Sequence, residues 1–266
     1  MLSTEDRTAV ADALRTAEQD RKPIDPLIET FPGIDAVDAY EIQLINIRRR
    51  LAVDGIDVLG HKVGLSSAVM QQMMGVDEPD YGHLLTDMRI DDGGSVAADR
   101  FCYPRVEVEV GFLLGADLPG AGCTEDDVLA GTEAFVPSIE LVDSRIVDWR
   151  IGLPDTVADN ASAAGFVLGA QRVEPGDLDP RTIDVTLRRN GETVATGRSD
   201  AVLGNPVIAV AWLARKVASF GVRLRAGQVV LPGSCVRAID ANAGDVFDAE
   251  CVGLGTVSLS FHGSGT

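Results

Sequence analysis

The stretch Arg105-Val-Glu-Val-Glu-Val-Gly-Phe112 alternates apolar and acidic residues and decides how the middle of the chain folds. Because successive side chains of a strand point to opposite faces, Glu107 and Glu109 share one face and the three valines share the other. Two carboxylates this close repel each other unless a positive charge lies between them. The pattern predicts a strand, continuing to Leu114, that presents two glutamates to one side.

A third glutamate completes a candidate metal site. Glu140 ends the apolar segment Phe135-Val-Pro-Ser-Ile-Glu140. Carboxylate sites built only from oxygen suit Mg²⁺ or Mn²⁺ better than zinc, and three glutamates could bind such a cation and leave room for substrate and water. The same spacing is also typical of an antiparallel strand with a solvated, charged face. The three residues alone leave both interpretations open.

The charge of the chain excludes two classes of partner. Its 266 residues include 41 Asp and Glu against 23 Lys and Arg, which gives a formal net charge of -18. A field of this sign repels nucleic acid and anionic membranes, and no basic run is long enough to counter it. The short run Arg48-Arg49-Arg50 is expected to form salt bridges on a solvated helix face.

Cysteine usage and hydropathy predict a soluble, cytoplasmic protein. The four cysteines are scattered, at Cys102, Cys123, Cys235 and Cys251. They form no Cys-x-x-Cys pair and no histidine stands at zinc spacing, so reduced thiols are expected. The first residues begin a polar helix rather than a signal peptide, and no segment approaches the ~20 apolar residues that span a bilayer.

The length allows a single domain with a substantial core. We expect one catalytic domain over residues 1–266, with a helical N-terminal part at 1–55 and a β-rich metal-binding core at 56–266.

Four segments carry helix signals. A weakly amphipathic stretch covers residues 4–18, and Asp35 is expected to cap a second helix whose apolar residues repeat every three or four positions. Thr124 is expected to cap a short helix with an acidic first turn. The last helix is predicted to begin at Asn205, which precedes a proline, and to end at Gly221.

Most other apolar segments predict strands. They lie at residues 57–63, 105–114, 136–141, 166–168, 182–189, 192–197, 229–231, 246–252 and 257–261. Asn190-Gly191 is a strong signal for a two-residue hairpin, because both residues tolerate positive φ. Since strands mostly follow one another after residue 90, the pattern favours an α+β fold built on a curled, mixed sheet or barrel.

Lys62 lies in the apolar segment Val58-Leu-Gly-His-Lys-Val-Gly-Leu65. Two placements remain open for its side chain: it extends to solvent from an edge strand, or it is a buried cation that faces the carboxylates. The second placement would let Lys62 take part in proton transfer. His61 points to the opposite face, and neither it nor His83 and His262 is expected to be catalytic.

Three polar segments could contribute further site residues. Asp80 lies in Gly75-Val-Asp-Glu-Pro-Asp-Tyr-Gly82, where Pro79 and Gly82 are expected to enforce a turn that holds the carboxylate over a cavity or bonds it to local backbone. Residues 155–162 form a polar run that is denser in hydrogen-bonding groups than a simple connector requires. Residues 231–235 are either a simple Pro-Gly turn or a turn that presents Ser234 and backbone N–H groups to a substrate carboxylate.

Several of these segments together resemble one family. They are Gly60-His-Lys-Val-Gly-Leu-Ser66, Met70-Gln-Gln-Met-Met-Gly-Val-Asp-Glu-Pro-Asp-Tyr-Gly82, Arg105-Val-Glu-Val-Glu109, Val142-Asp-Ser-Arg-Ile-Val-Asp-Trp149, Asp155-Thr-Val-Ala-Asp-Asn-Ala-Ser162 and Ala211-Trp-Leu-Ala-Arg-Lys216. The combination resembles the 2-keto-4-pentenoate (2-hydroxypenta-2,4-dienoate) hydratases of the fumarylacetoacetate hydrolase superfamily, which act after meta-cleavage of aromatic rings. The resemblance runs over nearly the whole chain.

The resemblance implies a barrel-like fold of the fumarylacetoacetate hydrolase type and a division of roles. Mg²⁺ or Mn²⁺ would be bound by Glu107, Glu109 and Glu140, with Lys62 and Asp80 beside a small 2-hydroxy-dienoate substrate. Candidate substrate-binding residues are Ser162, Ser234, Leu65 and Asp155. The resemblance also implies a homo-oligomer that could associate with a downstream aldolase or a related decarboxylase.

Two observations bear on the choice between activities. The loop Leu231-Pro-Gly-Ser-Cys235 differs from the Gly-Ala-Leu type of loop associated with some hydratases, which leaves the substituent of the substrate open. Related 4-oxalocrotonate decarboxylases often lack the counterpart of Asp80, so this residue favours hydration. A decarboxylase or acylpyruvate hydrolase is the alternative within the superfamily, and a non-catalytic partner that stabilises a pathway enzyme is the alternative outside it.

Overall fold

The computed structural model describes residues 1–67, 71–72 and 75–263 of the chain. Its α-helices are α1 (Thr4–Asp20), α2 (Leu27–Thr30), α3 (Ala36–Leu51), α4 (Glu125–Gly131), α5 (Leu153–Ala158) and α6 (Pro206–Ala218). Within the family-like segment 70–82, Met70, Met73 and Met74 lie outside the described residues. No helix in the described part of the chain is both long and apolar enough to cross a membrane.

The helix caps follow the sequence signals. Ser3 caps α1, and at Asp35 a capping box forms in which the Asp35 side chain accepts from the Asp38 N–H. Thr124 caps α4 in the same way, and the Asn205 side chain accepts from the Val207 N–H at 3.1 Å to begin α6. Each cap satisfies N–H groups that the first turn of a helix leaves without partners. These four helix starts confirm the predictions.

The strands form two sheets. They are β1 (Val58–Gly64), β2 (Asp80–Leu85), β3 (Arg89–Ile90), β4 (Gly94–Ala97), β5 (Arg105–Leu114), β6 (Thr132–Val142), β7 (Ala163–Leu168), β8 (Asp184–Arg189), β9 (Glu192–Arg198), β10 (Val229–Leu231), β11 (Ile239–Asp240), β12 (Val246–Cys251) and β13 (Gly255–His262). The larger sheet has the order β2-β1-β10-β5-β6-β7-β3, with β11 beside β5, and the smaller has the order β4-β13-β12-β8-β9. Both contain parallel and antiparallel pairs.

The apolar core lies between these sheets. The valine face of β5 is fully buried at Val106, Val108 and Val110, while β12 and β13 of the smaller sheet lie against β6. The other face of β5 and β6 is thereby left for the glutamates. The predicted α+β fold with a curled, mixed sheet is confirmed.

Asn190 and Gly191 form the predicted two-residue turn between β8 and β9. Their φ angles are 55° and 84°. The arginine run on α3 also behaves as predicted, since Arg49 pairs with Asp12 and Arg50 with Asp87.

One prediction about the polar segments is wrong. Gly82 does not enforce a turn but lies inside β2, a strand whose six residues are all buried. The Asn160 carbonyl oxygen would lie 2.3 Å from any Cβ at Gly82. The run at 155–162 is more than a simple connector, as its density of hydrogen-bonding groups indicated, because helix α5 and a 3₁₀ turn at Asn160–Ser162 occupy it.

The cap of α6 gives a test of the fold. We expect Asn205→Ala to lower the free energy of unfolding by about 1 kcal/mol, because the Val207 N–H loses its acceptor. Urea denaturation monitored by circular dichroism measures the change. Asn205→Ser is the matched control, since serine caps about as well as asparagine. Equal stability of the Ala and Ser variants would contradict this account of the cap.

Candidate active site

Three carboxylates converge on one face of the β5–β6 pair. In the antiparallel register Glu107 lies directly opposite Glu140, and Glu109 follows two residues further along the same face. One oxygen atom from each of the three carboxylates lies within 4.8 Å of the other two. Glu109 and Glu140 are fully buried and Glu107 is half-buried. The alternative of a solvated charged face is therefore wrong.

The electrostatics of this cluster favour a bound cation. Burial and the charge of Glu140 raise the pKa of Glu107 to about 7, and burial with both neighbouring charges raises the pKa of Glu109 well above its usual value. Among the described residues, Glu109 Oε1 and Glu140 Oε2 have no hydrogen-bond partner. Because unpaired buried carboxylate oxygens are costly and a hard divalent cation prefers such ligands, the cluster can bind a metal ion.

The loop after β10 fixes one of the three carboxylates. The Gly233 N–H donates to Glu109 Oε2 at 2.7 Å. Gly233 has a φ of 125°, and a Cβ there would lie 1.8 Å from Ser66 Oγ, so only glycine fits. The sequence predicted that this turn could present backbone N–H groups to a substrate carboxylate, whereas the Gly233 N–H bonds the carboxylate of Glu109. The Ser234 hydroxyl donates to the Val236 carbonyl at 2.7 Å, and its contact with a substrate stays a prediction.

Lys62 is the buried cation that faces the carboxylates. Its side chain is 4% exposed, and Nζ lies 3.2 Å from Glu140 Oε1. The ammonium also donates to the carbonyl oxygen of Ala161 at 2.9 Å. Burial opposes the charged form, but the carboxylates of Glu140 and Asp80 outweigh it and raise the pKa of Lys62. The alternative of a side chain that extends to solvent is wrong.

Asp80 lies beside Lys62 at the start of β2. Its Oδ2 accepts from the Thr156 hydroxyl at 2.9 Å, and burial raises its pKa against the opposing effect of Lys62. Gly64 separates the two side chains: a Cβ at this position would lie 2.2 Å from Asp80 Oδ1 and 3.3 Å from Lys62 Nζ. The absence of a side chain at Gly64 therefore lets the acid and the ammonium occupy one pocket.

The remaining candidates differ in their placement. Ser162 Oγ is buried and has no hydrogen-bond partner in the described part of the chain, so it is available to a ligand. Leu65 is half-buried and has a φ of 52°, a conformation that is a genuine outlier for a bulky residue. His61 and His83 contact each other, with ring centroids 4.9 Å apart.

Asp155 has a structural role in the fold. Its Oδ1 accepts from the Leu27 N–H and its Oδ2 from the Gly152 N–H at 2.7 Å. The carboxylate thus caps α5 and ties it to the start of α2, and its contact with a substrate stays a prediction.

Several residues of the pocket escaped the sequence analysis. Thr156 and Ala161 reach Asp80 and Lys62 across the fold, and Thr156 lies 76 residues from its partner. No local pattern signals such contacts. The sequence did indicate the positive φ of Gly233, because this glycine directly follows a proline in the predicted turn.

Comparison with known proteins shows which family the chain resembles. The fumarylacetoacetate (FAA) hydrolase C-terminal family model matches residues 70–261. The chain is 43% identical over 261 residues to a 2-keto-4-pentenoate hydratase of Paraburkholderia xenovorans (strain LB400), and the aligned region covers 98% of this chain and 97% of the relative. It is 42% identical over 252 residues to a 2-hydroxyhexa-2,4-dienoate hydratase of Comamonas testosteroni, covering 94% of each.

Solved structures agree with the sequence matches. A 4-oxalocrotonate decarboxylase from Pseudomonas putida G7, complexed with magnesium and adipate, superposes with a TM-score of 0.94 at 34% identity, covering 98% of this chain and 99% of the other. A fumarylpyruvate hydrolase from Pseudomonas aeruginosa, in complex with Mn²⁺ and pyruvate, shares the fold, with a TM-score of 0.60 at 16% identity and coverage of 77% and 89%. Fold and site define a protein of the fumarylacetoacetate hydrolase superfamily. Within it, the chain belongs to the 2-keto-4-pentenoate hydratase family.

The carboxylate cluster makes a prediction about metal binding. Glu109→Gln should weaken Mn²⁺ binding by roughly 10-fold or more, because loss of even an orienting partner of a metal ligand costs that much. Titration followed by the electron paramagnetic resonance signal of free Mn²⁺ measures the affinity. Without metal, the variant should be at least as stable as the wild type, since one buried, repelling charge is gone.

Glu133→Gln provides the matched control. Glu133 lies on the same strand as Glu140 but is exposed and pairs with Arg172 at the surface. Its variant should bind Mn²⁺ as the wild type does. Unchanged affinity in Glu109→Gln would remove Glu109 from the ligand set.

Proposed function

We propose that this protein is a metal-dependent hydratase. It adds water to 2-hydroxypenta-2,4-dienoate, or a substituted analogue, to give a 4-hydroxy-2-oxo acid in the meta-cleavage catabolism of aromatic compounds. The observation that carries the proposal is the placement of buried Asp80 and Lys62 beside the three-glutamate cluster. The full-length identity to named hydratases supports it.

Glu107, Glu109 and Glu140 are the proposed ligands of Mg²⁺ or Mn²⁺. When bound, the cation would stabilise the negative charge that develops on the carboxylate and 2-oxygen of the substrate. Gly233 would keep Glu109 oriented through its N–H group, leaving the second carboxylate oxygen free for the metal.

Lys62 and Asp80 are the proposed catalytic residues. The reaction requires that a proton leave the 2-hydroxyl group, that a proton reach C5, and that water add across C3 and C4, with its hydroxyl group on C4 and its other proton on C3. The Lys62 ammonium, held charged by its neighbours, is a hydrogen-bond donor for the developing negative charge. Asp80 lies beside Lys62, and burial raises the pKa of its carboxyl, so the side chain is the proposed group that accepts and donates protons.

Other residues would position the substrate. Ser162 offers an unpaired hydroxyl, and Leu65 lies half-buried at the end of β1. Asp155 and Ser234 complete the proposed substrate-binding set, and each also bonds backbone groups of the fold.

A decarboxylase is the second candidate function. The close superposition on the P. putida decarboxylase supports it, since the two chains share almost the whole fold. The higher identity to hydratases and the presence of Asp80 favour hydration. A non-catalytic role as stabiliser of a pathway enzyme would not explain why the carboxylate of Asp80 and the ammonium of Lys62 are buried beside the glutamates.

The remaining aspects of the proposal concern the setting of the enzyme. We treat residues 1–266 as one catalytic domain that acts in the cytoplasm as a homo-oligomer. Its product is a 4-hydroxy-2-oxo acid, which an aldolase would cleave, so association with such an aldolase or with a related decarboxylase is part of the proposal.

A spectrophotometric assay tests the activity. The purified protein should bleach the ultraviolet absorbance of freshly generated 2-hydroxypenta-2,4-dienoate, with 4-hydroxy-2-oxopentanoate as the product by mass spectrometry. A chelator should abolish the reaction, and Mg²⁺ or Mn²⁺ should restore it, because three carboxylates need a hard cation. Full activity after exhaustive demetallation would overturn the metal dependence.

Asp80→Asn separates hydration from decarboxylation. The amide keeps the shape of the side chain but cannot accept a proton as the carboxylate does, so hydration should fall by roughly 10²-fold or more. Asp77→Asn, at an exposed position three residues earlier, should leave the rate unchanged. Normal hydration by Asp80→Asn would exclude the proposed role. Rapid release of CO₂ from 2-oxo-3-hexenedioate by the wild type would instead identify a decarboxylase.

A further inference from the structure

A left-handed turn lies next to the catalytic pocket. Asn160, Ala161 and Ser162 have φ angles of 53°, 50° and 58° in succession. A left-handed conformation costs L-residues about 1–2 kcal/mol each, although asparagine tolerates it better than alanine or serine does. Such strain persists only where the surroundings enforce it, and it is concentrated at functional sites.

The Asn160 side chain fastens this turn to β2. Its Oδ1 accepts from the His83 N–H at 2.8 Å, and its Nδ2 donates to the His83 carbonyl at 3.0 Å. The Asn160 amide thus bonds both the N–H and the carbonyl of His83, as the backbone of a neighbouring strand would. The adjacent Gly82 has no side chain and lets the Asn160 carbonyl approach closely.

Contacts with the segment after β6 fix the two ends of the turn. Arg145 forms a buried ion pair with Asp159, and its backbone N–H donates to Asp159 Oδ2 at 2.9 Å. At the other end, the Asp143 N–H donates to the Ser162 carbonyl at 2.8 Å. The turn is therefore held between β2, where Asp80 lies, and the strand that carries Glu140.

The turn directs two polar groups into the pocket. The Ala161 carbonyl accepts from Lys62 Nζ at 2.9 Å, and this same ammonium lies 3.2 Å from Glu140 Oε1. The Ser162 hydroxyl is buried without a partner among the described residues. A carbonyl that accepts from an ammonium fixes its direction, so the conformation of the turn determines where the charge of Lys62 lies.

We propose that Asn160 is a positioning residue of the active site. By holding the left-handed turn against β2, it fixes the Ala161 carbonyl and through it the ammonium of Lys62, and it places the Ser162 hydroxyl in the pocket. The catalytic part of this inference rests on the proposed hydratase function, whereas the placement of Lys62 does not.

The experiment compares three variants. Asn160→Ala removes both bonds to His83 and disfavours positive φ; it should lower kcat roughly 10- to 100-fold, as loss of an orienting partner does. The affinity for Mn²⁺ should change by less than about 3-fold, because neither side-chain bond of Asn160 involves the glutamates. Asn160→Asp tolerates the left-handed conformation and keeps the acceptor for the His83 N–H, so it should recover part of the loss.

Asn46→Ala is the matched control for a role in stability alone. The Asn46 side chain donates to the Ala11 carbonyl at 2.8 Å and joins α3 to α1 away from the carboxylates. This variant loses a comparable bond, so its melting temperature should fall while kcat stays at the wild-type value. A normal kcat in folded Asn160→Ala, or equal kcat losses in Asn160→Ala and Asn46→Ala, would overturn the proposal.

A second readout does not depend on the reaction. Acetic anhydride labelling followed by peptide mass spectrometry reports the reactivity of the Lys62 amine. Label should accumulate several-fold faster at Lys62 in Asn160→Ala than in the wild type or in Asn46→Ala, because the ammonium has lost its fixed partner. Equal labelling in all three would reject the positioning role. Failure of the wild type to hydrate any dienoate would reject the proposed function and leave the labelling result to decide the placement of Lys62.

Discussion

The burial of several carboxylates at one place is the constraint on which the rest of the structure depends. Two of the three glutamates of the β5–β6 face have no contact with solvent, and Asp80 lies nearby. Removing a charged group from water costs several kcal/mol, and the mutual repulsion of like charges adds to this cost. Among the described residues, the ammonium of Lys62, the Gly233 N–H and the Thr156 hydroxyl offset part of this cost.

This constraint explains why glycine surrounds the pocket. At three positions around the pocket, neighbouring groups come so close to the backbone that no side chain would fit. Gly64 leaves space between Asp80 and Lys62, Gly233 brings its N–H to Glu109, and Gly82 admits the carbonyl of the left-handed turn. On the other side of β5, the valines pack into the apolar core and fix the strand there, so the glutamates must point away from the core.

Local chemistry predicted much of the fold and part of the site. Caps such as Asn205 and the alternation around Glu107 depend on residues close in sequence, so they could be read directly. The burial of Lys62 could not be decided, because the strand alone does not reveal what covers it. The prediction that Gly82 enforces a turn near Asp80 was wrong. A proline and a glycine close together locally favour a turn, but the pairing of β2 with β1 places Gly82 inside a strand, and local sequence does not show that pairing. The structural bonds of Asp155 could not be predicted for the same reason: its partner in α2 lies 128 residues away.

The pairing of Glu107 with Glu140 across β5 and β6 has a consequence for how the gene can change. Side chains alternate along a strand, so inserting or deleting one residue in either strand would turn its glutamate into the apolar layer and bring a large aliphatic group to the carboxylate face. Substitutions do not shift this alternation. The two strands should therefore accept point changes through evolutionary time while keeping a constant length within Arg105–Leu114 and within Thr132–Val142. Length variation among relatives should be confined to the connections outside the strands, including the one between β5 and β6.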